Sequence, residues 1–411
     1  MVEIVESAMD APPIWDSLIG QSDAVAKLNK AVTDAELITR GESGPGMTHA
    51  WLITGPPGSG RSTAATAFAA ALVCPLGGCG QCQVCRMAPA GGHPDVHIVT
   101  PTGLSYGVDE ARELVRLSSL APIDSPWRVI VVEDADRLTD QAFHALLKTL
   151  EEPPPHTVWV LCAPSVEDVL PTIISRTRHL SLRTPTTAEV RDLLIHTYSV
   201  DPAMASFAAR ASQGHIGRAR GLALEEQARL RRQSDLRTVF NLRDVPSCVV
   251  AAGELVKAAT EAANARSDQL DAQEDEQLKA AFGIEEGSRV TGSSKKTVDA
   301  AKKQLLATQK SRRKRMIRDE VDRSLVDLLG LFRDVLLIQL DSNLELINQE
   351  MRPQLEQLAA RSTASDSTRI LEAIEYTRAS VQANTPPQLA VEALMIAIKD
   401  PQLAPGRVHK Q

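Results

Sequence analysis

Cys74, Cys79, Cys82 and Cys85 place four thiols within twelve residues, in the spacing Cys-x4-Cys-x2-Cys-x2-Cys. Thiolates this close can complete one tetrahedral zinc site. Gly77, Gly78 and Gly80 permit the tight turns that a short chelate loop needs. Cys-x4-Cys-x2-Cys is also a plant-type iron–sulfur spacing, so the pattern admits structural zinc, an iron–sulfur cluster or, most plainly, four unrelated thiols. A second constellation lies just upstream. Gly55-Pro56-Pro57-Gly58-Ser59-Gly60-Arg61-Ser62 fits the phosphate-loop pattern G-x-x-x-x-G-K-[ST] at every fixed position except the lysine. Gly55, Gly58 and Gly60 would let backbone N–H groups turn in around phosphate, with Arg61, Ser62 and Thr63 opening a helix whose dipole favours an anion. Ser62 would hold Mg²⁺. The wider guanidinium of Arg61 is no equivalent of a compact ammonium between the β- and γ-phosphates.

The acidic pair that should complete such a site is Glu133-Asp134, the reverse of the usual Asp-Glu order. Hydrolysis asks for an aspartate on Mg²⁺ and a following residue to orient water. With both carboxylates displaced and Arg61 in the loop, the expectation is a site that binds ATP and Mg²⁺ without efficient turnover. His93, His97 and His156 form no pair of nucleophile and base.

Four apolar runs must position these residues: Ala50–Thr54 ahead of the loop, Val96–Val99, Arg128–Val132 ahead of Glu133, and Thr157–Cys162. Separated by amphipathic stretches, they predict a parallel α/β sheet with helices on both faces. Leu138, Phe143, Leu146, Leu147 and Leu150 recur at helical spacing until Pro153-Pro154-Pro155 stops them. After about Thr184 the pattern predicts helices alone, over Thr187–Tyr198, Ala203–Ala211, Ile216–Arg231, 320–340 and 353–399. Residues 262–320 begin acidic, pass through Gly-Ser turns and end basic. The basic run Lys310–Arg318 either contacts DNA phosphate or is simply a solvated helix face or a partner for acids 268–276 in a helical hairpin; the second, blander reading is the favoured expectation.

Composition agrees with this plan and removes other classes. Of 411 residues 43% are hydrophobic, enough for sizeable cores, and only 3% are aromatic. All four tryptophans, Trp15, Trp51, Trp127 and Trp159, precede residue 160. The formal net charge of −7 argues against coating nucleic acid by bulk charge. No apolar run reaches the ~18 residues of a membrane-spanning helix. The opening MVEIVESAMDAPP has neither a basic nor an apolar leader region, so a cytoplasmic protein is expected.

Several segments carry a family likeness: IWDSLIGQSDAVAKLNKAV with its Ile19-Gly20-Gln21 turn, HAWLITGPPGSG, the cysteine cluster, GGHPDVHIV, HALLKTLEEPP, LPTIISRTRHLSL and ANTPPQLAVEALMI. In these the chain resembles bacterial clamp-loader subunits of the AAA+ class, with the cysteine module and ALLKTLEEPP pointing to the gamma and delta-prime types of DNA polymerase III. The resemblance implies an AAA+ nucleotide-fold domain over 1–183 with a zinc module at 74–85, a small helical lid over 184–245, and a helical collar over 246–411. The charged insertion, about 262–320, has no counterpart.

What the resemblance implies about function centres on Ser175-Arg176-Thr177, similar to the family's Ser-Arg-Cys motif. Arg176 would be an arginine finger acting in trans on a neighbour's ATP. Ala163, in Cys162-Ala163-Pro164, replaces a polar sensor, and Arg218 lies near the place of the second sensor arginine. His144 stands where the family has asparagine, and the gap from Cys74 to Cys79 is shorter than in most relatives. The implied protein is a mostly non-hydrolysing scaffold within the DNA polymerase III assembly. Its partners would be delta and gamma/tau-type subunits, the sliding clamp and, through the complex, primed DNA. The alternatives are an active gamma/tau-type ATPase and a free-standing zinc and DNA-binding protein.

Overall fold

The computed structural model describes residues 13–101, 105–281 and 293–404, so the opening MVEIVESAMDAP and the Gly-Ser turns of 282–292 lie outside the described residues. Two compact units divide between Leu224 and Glu225.

In the first unit the expected strands form as β1 (Ala50–Thr54), β2 (Val96–Val99), β3 (Arg128–Val132) and β4 (Thr157–Ala163), joined by a fifth, β5 (Arg178–Ser181). All pairings are parallel, in the order β2-β3-β4-β1-β5. β1, β3 and β4 are buried at every position, which is why they read as unbroken apolar runs. Alternate residues serve two cores. Trp51, Ile53, Val129, Val131, Val158 and Val160 pack with α1 (Ser22–Thr39) and α2 (Arg61–Val73). Leu52, Ile130, Val132, Trp159 and Leu161 face the other way. Following α2 come a short α3 (Gln83–Met87), α4 (Val108–Ser118), α5 (Asp140–Glu151) and the single turn α6 (Pro171–Ile174).

α4 was not singled out by pattern; its first turn is fastened by Glu110 Oε2, which accepts from the Gly107 N–H at 2.7 Å. Thr139 Oγ1 caps α5 by accepting from the Ala142 N–H, and the prolines after Glu152 end it as expected. Helices α7 (Thr187–Tyr198), α8 (Pro202–Ser212) and α9 (Ile216–Leu224) complete this unit. The helix expected over Ile216–Arg231 is two helices. Glu225 is extended, at φ −111° and ψ 111°, and α10 (Glu226–Thr238) begins the second unit. No glycine or proline marks that break, so the pattern ran through it.

The second unit adds α11 (Val245–Ala281), α12 (Ser293–Gln339), α13 (Arg352–Arg361), α14 (Ala364–Gln382) and α15 (Pro387–Lys399). Its core joins Leu236 of α10 to Cys248, Leu255, Leu325, Leu328, Phe332, Leu355, Ile374 and Leu394. Beside it Arg232, only 5% exposed, bonds Asp327 at 2.8 Å, Glu350 at 3.2 Å and Asn348. Of the two forms of the favoured reading, the hairpin is present: Arg312 and Arg313 of α12 bond Asp268, Asp271 and Glu274 of α11. No helix among the described residues is long and apolar enough to cross a membrane.

Candidate nucleotide and metal sites

The octapeptide Gly55–Ser62 turns as a phosphate loop should, from the end of β1 into α2. Gly58 (φ 85°) and Gly60 (φ 94°) take the left-handed backbone that glycine alone adopts freely. The Gly55 N–H donates to Pro164 O at 3.2 Å, tying the loop to the end of β4. Ser59 Oγ and Arg61 Nη1 are buried and have no hydrogen-bond partner among the described residues, polar atoms that an anion in the loop would satisfy. Ser62 is exposed and Thr63 half-buried in the first turn of α2.

Glu133 and Asp134 follow β3 at the same edge of the sheet, with Asp134 left-handed at φ 48°. Sequence reasoning missed a third carboxylate here, Asp136, which is separated from the expected pair by Ala135. Burial, then the charge of Asp134, pushes the Asp136 carboxyl above its ordinary value, and Arg61 opposes the shift. The Cys162 thiol is likewise pushed up, by burial and then by Glu133. Arg61 thus shares one neighbourhood with Glu133, Asp134, Asp136 and Cys162. Ala163 pairs with Thr54, the last β1 residue before the loop, and presents a methyl group where a polar sensor was looked for.

Two further residues brace the loop. Gln21 is buried; its Nε2 donates to Ser59 O at 3.2 Å and to Arg183 O at 2.7 Å. His215 packs so closely on Gly58 that a Cβ there would meet its Cγ at 2.4 Å. The Arg218 N–H donates to His215 Nδ1 at 3.3 Å, which sets Arg218 one helical turn from the loop contact. Both contacts cross long stretches of sequence, and no local pattern announces them. Trp15 is buried in the core, its Nε1 on Asn29 Oδ1 at 3.4 Å.

The four cysteines come together. Cys74 follows α2, Cys82 caps α3, and all four Sγ atoms lie within 4.8 Å of one another. Cys74 Sγ is 3.9 Å from Cys79 Sγ and 3.7 Å from Cys82 Sγ. Zinc–thiolate bonds of ~2.3 Å in a tetrahedron ask for sulfurs about 3.8 Å apart, so this donor set fits a single ion. An iron–sulfur cluster would spread its thiolates over several irons and hold them further apart. The N–H groups of Gln81 and then Cys82 pull the Cys79 thiol down to about 6, while burial pushes Cys85 up. Gly78 (φ 101°) lies under Ile14, where a Cβ would sit 2.6 Å from Ile14 Cγ2.

Arg176 lies apart from all of these. It follows α6, and its Nε donates to Glu151 Oε1 at 2.6 Å, with Nη2 on the same oxygen. Its Nη1 donates to Thr172 O at 2.7 Å and Ser175 Oγ at 3.1 Å. Arg176, Glu151, Ser175, Leu150 and His49 line an open cleft of about 410 Å³.

The sheet order, the phosphate-type loop after β1 and the helices that follow β5 define a parallel α/β fold of the phosphate-loop type. Residues 35–186 match the family described as "DNA polymerase III, delta subunit". The chain is 35% identical to the DNA polymerase III subunit gamma/tau of Mycobacterium tuberculosis (strain ATCC 25618 / H37Rv) over 188 residues, 44% of this chain and 31% of that one. Against the subunit delta' of Haemophilus influenzae it is 38% identical over 141 residues, 33% of this chain and 43% of that one. With the subunit delta' of Bacillus subtilis the identity is 35% over 162 residues, 39% and 49% of the two chains. The matched stretch spans between about a third and a half of these relatives' lengths. Among solved structures, a DNA polymerase III gamma subunit-related protein from Thermotoga maritima aligns with a TM-score of 0.42 and 16% identity, over 90% of this chain and 99% of that one.

Proposed function

We infer that this chain is a delta-prime-like clamp-loader subunit of the DNA polymerase III type, a nucleotide fold kept as scaffold that lends Arg176 to a neighbour's ATP. One observation carries the reading: Arg176 is at the wrong edge of the sheet to serve its own loop. His49, which lines its cleft, immediately precedes β1, whereas the phosphate loop immediately follows it. The five residues of β1, at ~3.3 Å each, separate the two edges by about 16 Å. A nucleotide that meets Arg176 must arrive on another subunit. There the guanidinium would stabilise charge gathering on a γ-phosphate. The contact with Glu151 is half-exposed and costs little to exchange for phosphate.

The chain's own loop supports the scaffold role. Gly55, Gly58, Gly60, Arg61, Ser62 and Thr63 would hold ATP, with Glu133 and Asp134 at Mg²⁺ and Arg218 near the phosphates. Ala163 offers no hydrogen bond to an attacking water, so turnover is weak or absent. Zinc on Cys74, Cys79, Cys82 and Cys85 is structural. Delta and gamma/tau-type subunits assemble through the helical collar, and the complex places the sliding clamp on primed DNA in the cytoplasm. Reconstitution tests the reading: Arg176→Ala should leave assembly intact and lower DNA-stimulated ATP hydrolysis of the complex, and unchanged hydrolysis would sink it. The similarity to gamma/tau subunits supports one rival, an active ATPase. That rival wins if the isolated chain turns over ATP and Arg61→Ala abolishes the turnover.

A further inference from the structure

Helices α11 and α12 form an antiparallel pair whose distal part differs from its base. The apolar cluster of the second unit takes Cys248, Ala252, Leu255 and Ala259 from α11 and begins on α12 at Val321. Beyond those residues the seam is polar: Ser267 and Gln309 are buried in it, and Arg312 and Arg313 bond the acids of α11. At ~1.5 Å per residue, α12 runs about 40 Å before reaching the core.

These ion pairs use the arginines of the basic run and leave its lysines over. From Ala300 to Arg318 there are eight basic residues and no acidic one. Arg312 and Arg313 turn to α11, Arg315 reaches Asp319 at 3.9 Å, and Arg318 bonds Asn384. Lys303, Lys310 and Lys314 are exposed and have no ion pair or hydrogen bond among the described residues. At ~100° per residue all three fall on one face, nearly opposite Arg312. Lys310 and Lys314 are one turn apart, where like charges repel. On α12 no acid lies within four residues of Lys310 or Lys314, while Asp299 stands four residues before Lys303.

We propose that this outer face of distal α12 docks on the backbone phosphates of double-stranded DNA. In a chain of net charge −7, a row of three exposed lysines on one helix face is complementary to a polyanion. Lys303 and Lys314 are about 16 Å apart along the helix, enough to touch phosphates on both sides of a major groove ~12 Å wide. No aromatic residue occurs between Ser293 and Ile317, so the face lacks the stacking platform that favours single strands. Ammonium contacts to phosphate fix position and carry no sequence information. The proposal does not rest on the clamp-loader reading, because it concerns the chain by itself.

The test is fluorescence anisotropy of the full chain with a short labelled duplex across a salt series. Lys303→Gln/Lys310→Gln/Lys314→Gln keeps helix propensity. It should weaken binding and flatten the slope of log affinity against log salt by about 2 to 3, one contact contributing about 0.9. Lys27→Gln/Lys30→Gln/Lys257→Gln removes the same charge elsewhere and should leave the slope unchanged. Equal losses in both variants, or tighter binding to a single strand or to poly-glutamate than to duplex, would overturn the proposal.

Discussion

Asp95 and Arg128 are both buried, and the structure says that removing one costs more than removing the other. Asp95, fully buried, accepts from the N–H groups of Ile123, Asp124 and Ser125 at 2.7, 2.8 and 3.0 Å and from Ser125 Oγ at 3.2 Å. Arg128 Nη2 donates to it at 3.3 Å and to Ala121 O at 2.9 Å. Without Arg128 the carboxylate keeps four donors. Without Asp95 the guanidinium keeps carbonyls and His97 but no counter-charge, and three loop N–H groups are orphaned. An uncompensated buried charge costs about 3–5 kcal/mol, so Asp95→Ala should destabilise the first unit by about 4 kcal/mol. Arg128→Met should cost about 2 kcal/mol, and the double variant less than the two together. Since every tryptophan lies in this unit, tryptophan emission during urea unfolding reports it alone. If Arg128→Met costs as much as Asp95→Ala, or the two add without coupling, the account of the pair is wrong.

The same pair sets a pH dependence. Burial works to raise the Asp95 carboxyl, but the donors of Ile123, Asp124 and Ser125 outweigh it and the net shift is downward. Its stabilisation is therefore present above the unfolded value of about 3.9 and lost as pH falls through the folded one. His97 is also lowered, by burial first and then by the charge of Arg128. The unfolded chain takes up that proton first, so stability should fall as pH drops below about 6.5, and His97→Gln should flatten the fall. In the second unit, Arg232→Ala breaks the buried ion pair with Asp327 and should cost about 3–5 kcal/mol, seen in far-ultraviolet dichroism with tryptophan emission unmoved. A strong chelator should release one zinc ion per chain and shift Trp15 emission, since Ile14 sits on Gly78 of the module; a visible absorption band instead would identify iron.

Elements buried on both faces were legible because their apolar runs are continuous: β1, β3 and β4 fall within a residue of their expected ends. β5 was not read as a strand because Leu180 is its only buried residue, an edge strand with almost no hydrophobic pattern. The break at Glu225 carries no glycine or proline, and the long arms of α11 and α12 are hidden by a composition too polar to show an apolar stripe. At the site, glycines and cysteines announce themselves locally. Gln21 on Ser59 and His215 on Gly58 do not, because each contact is made by folding.

Arg176 marks the limit of local reading most clearly. The motif supplies an arginine, but whether it acts on its own nucleotide or another's depends on which edge of the sheet it occupies. That follows from strand direction. β1 and β5 are parallel, Trp51 pairs with Arg178, and residues just before β5 must lie beside those just before β1. The loop that follows β1 is then at the far edge, whatever rotamer Arg176 adopts. On the proposed reading, weak turnover at the phosphate loop and a cation offered at the opposite edge are therefore separable properties. Arg61 and Ala163 bear only on the first, so changing them should leave the hydrolysis that the proposal assigns to Arg176 in a reconstituted complex intact.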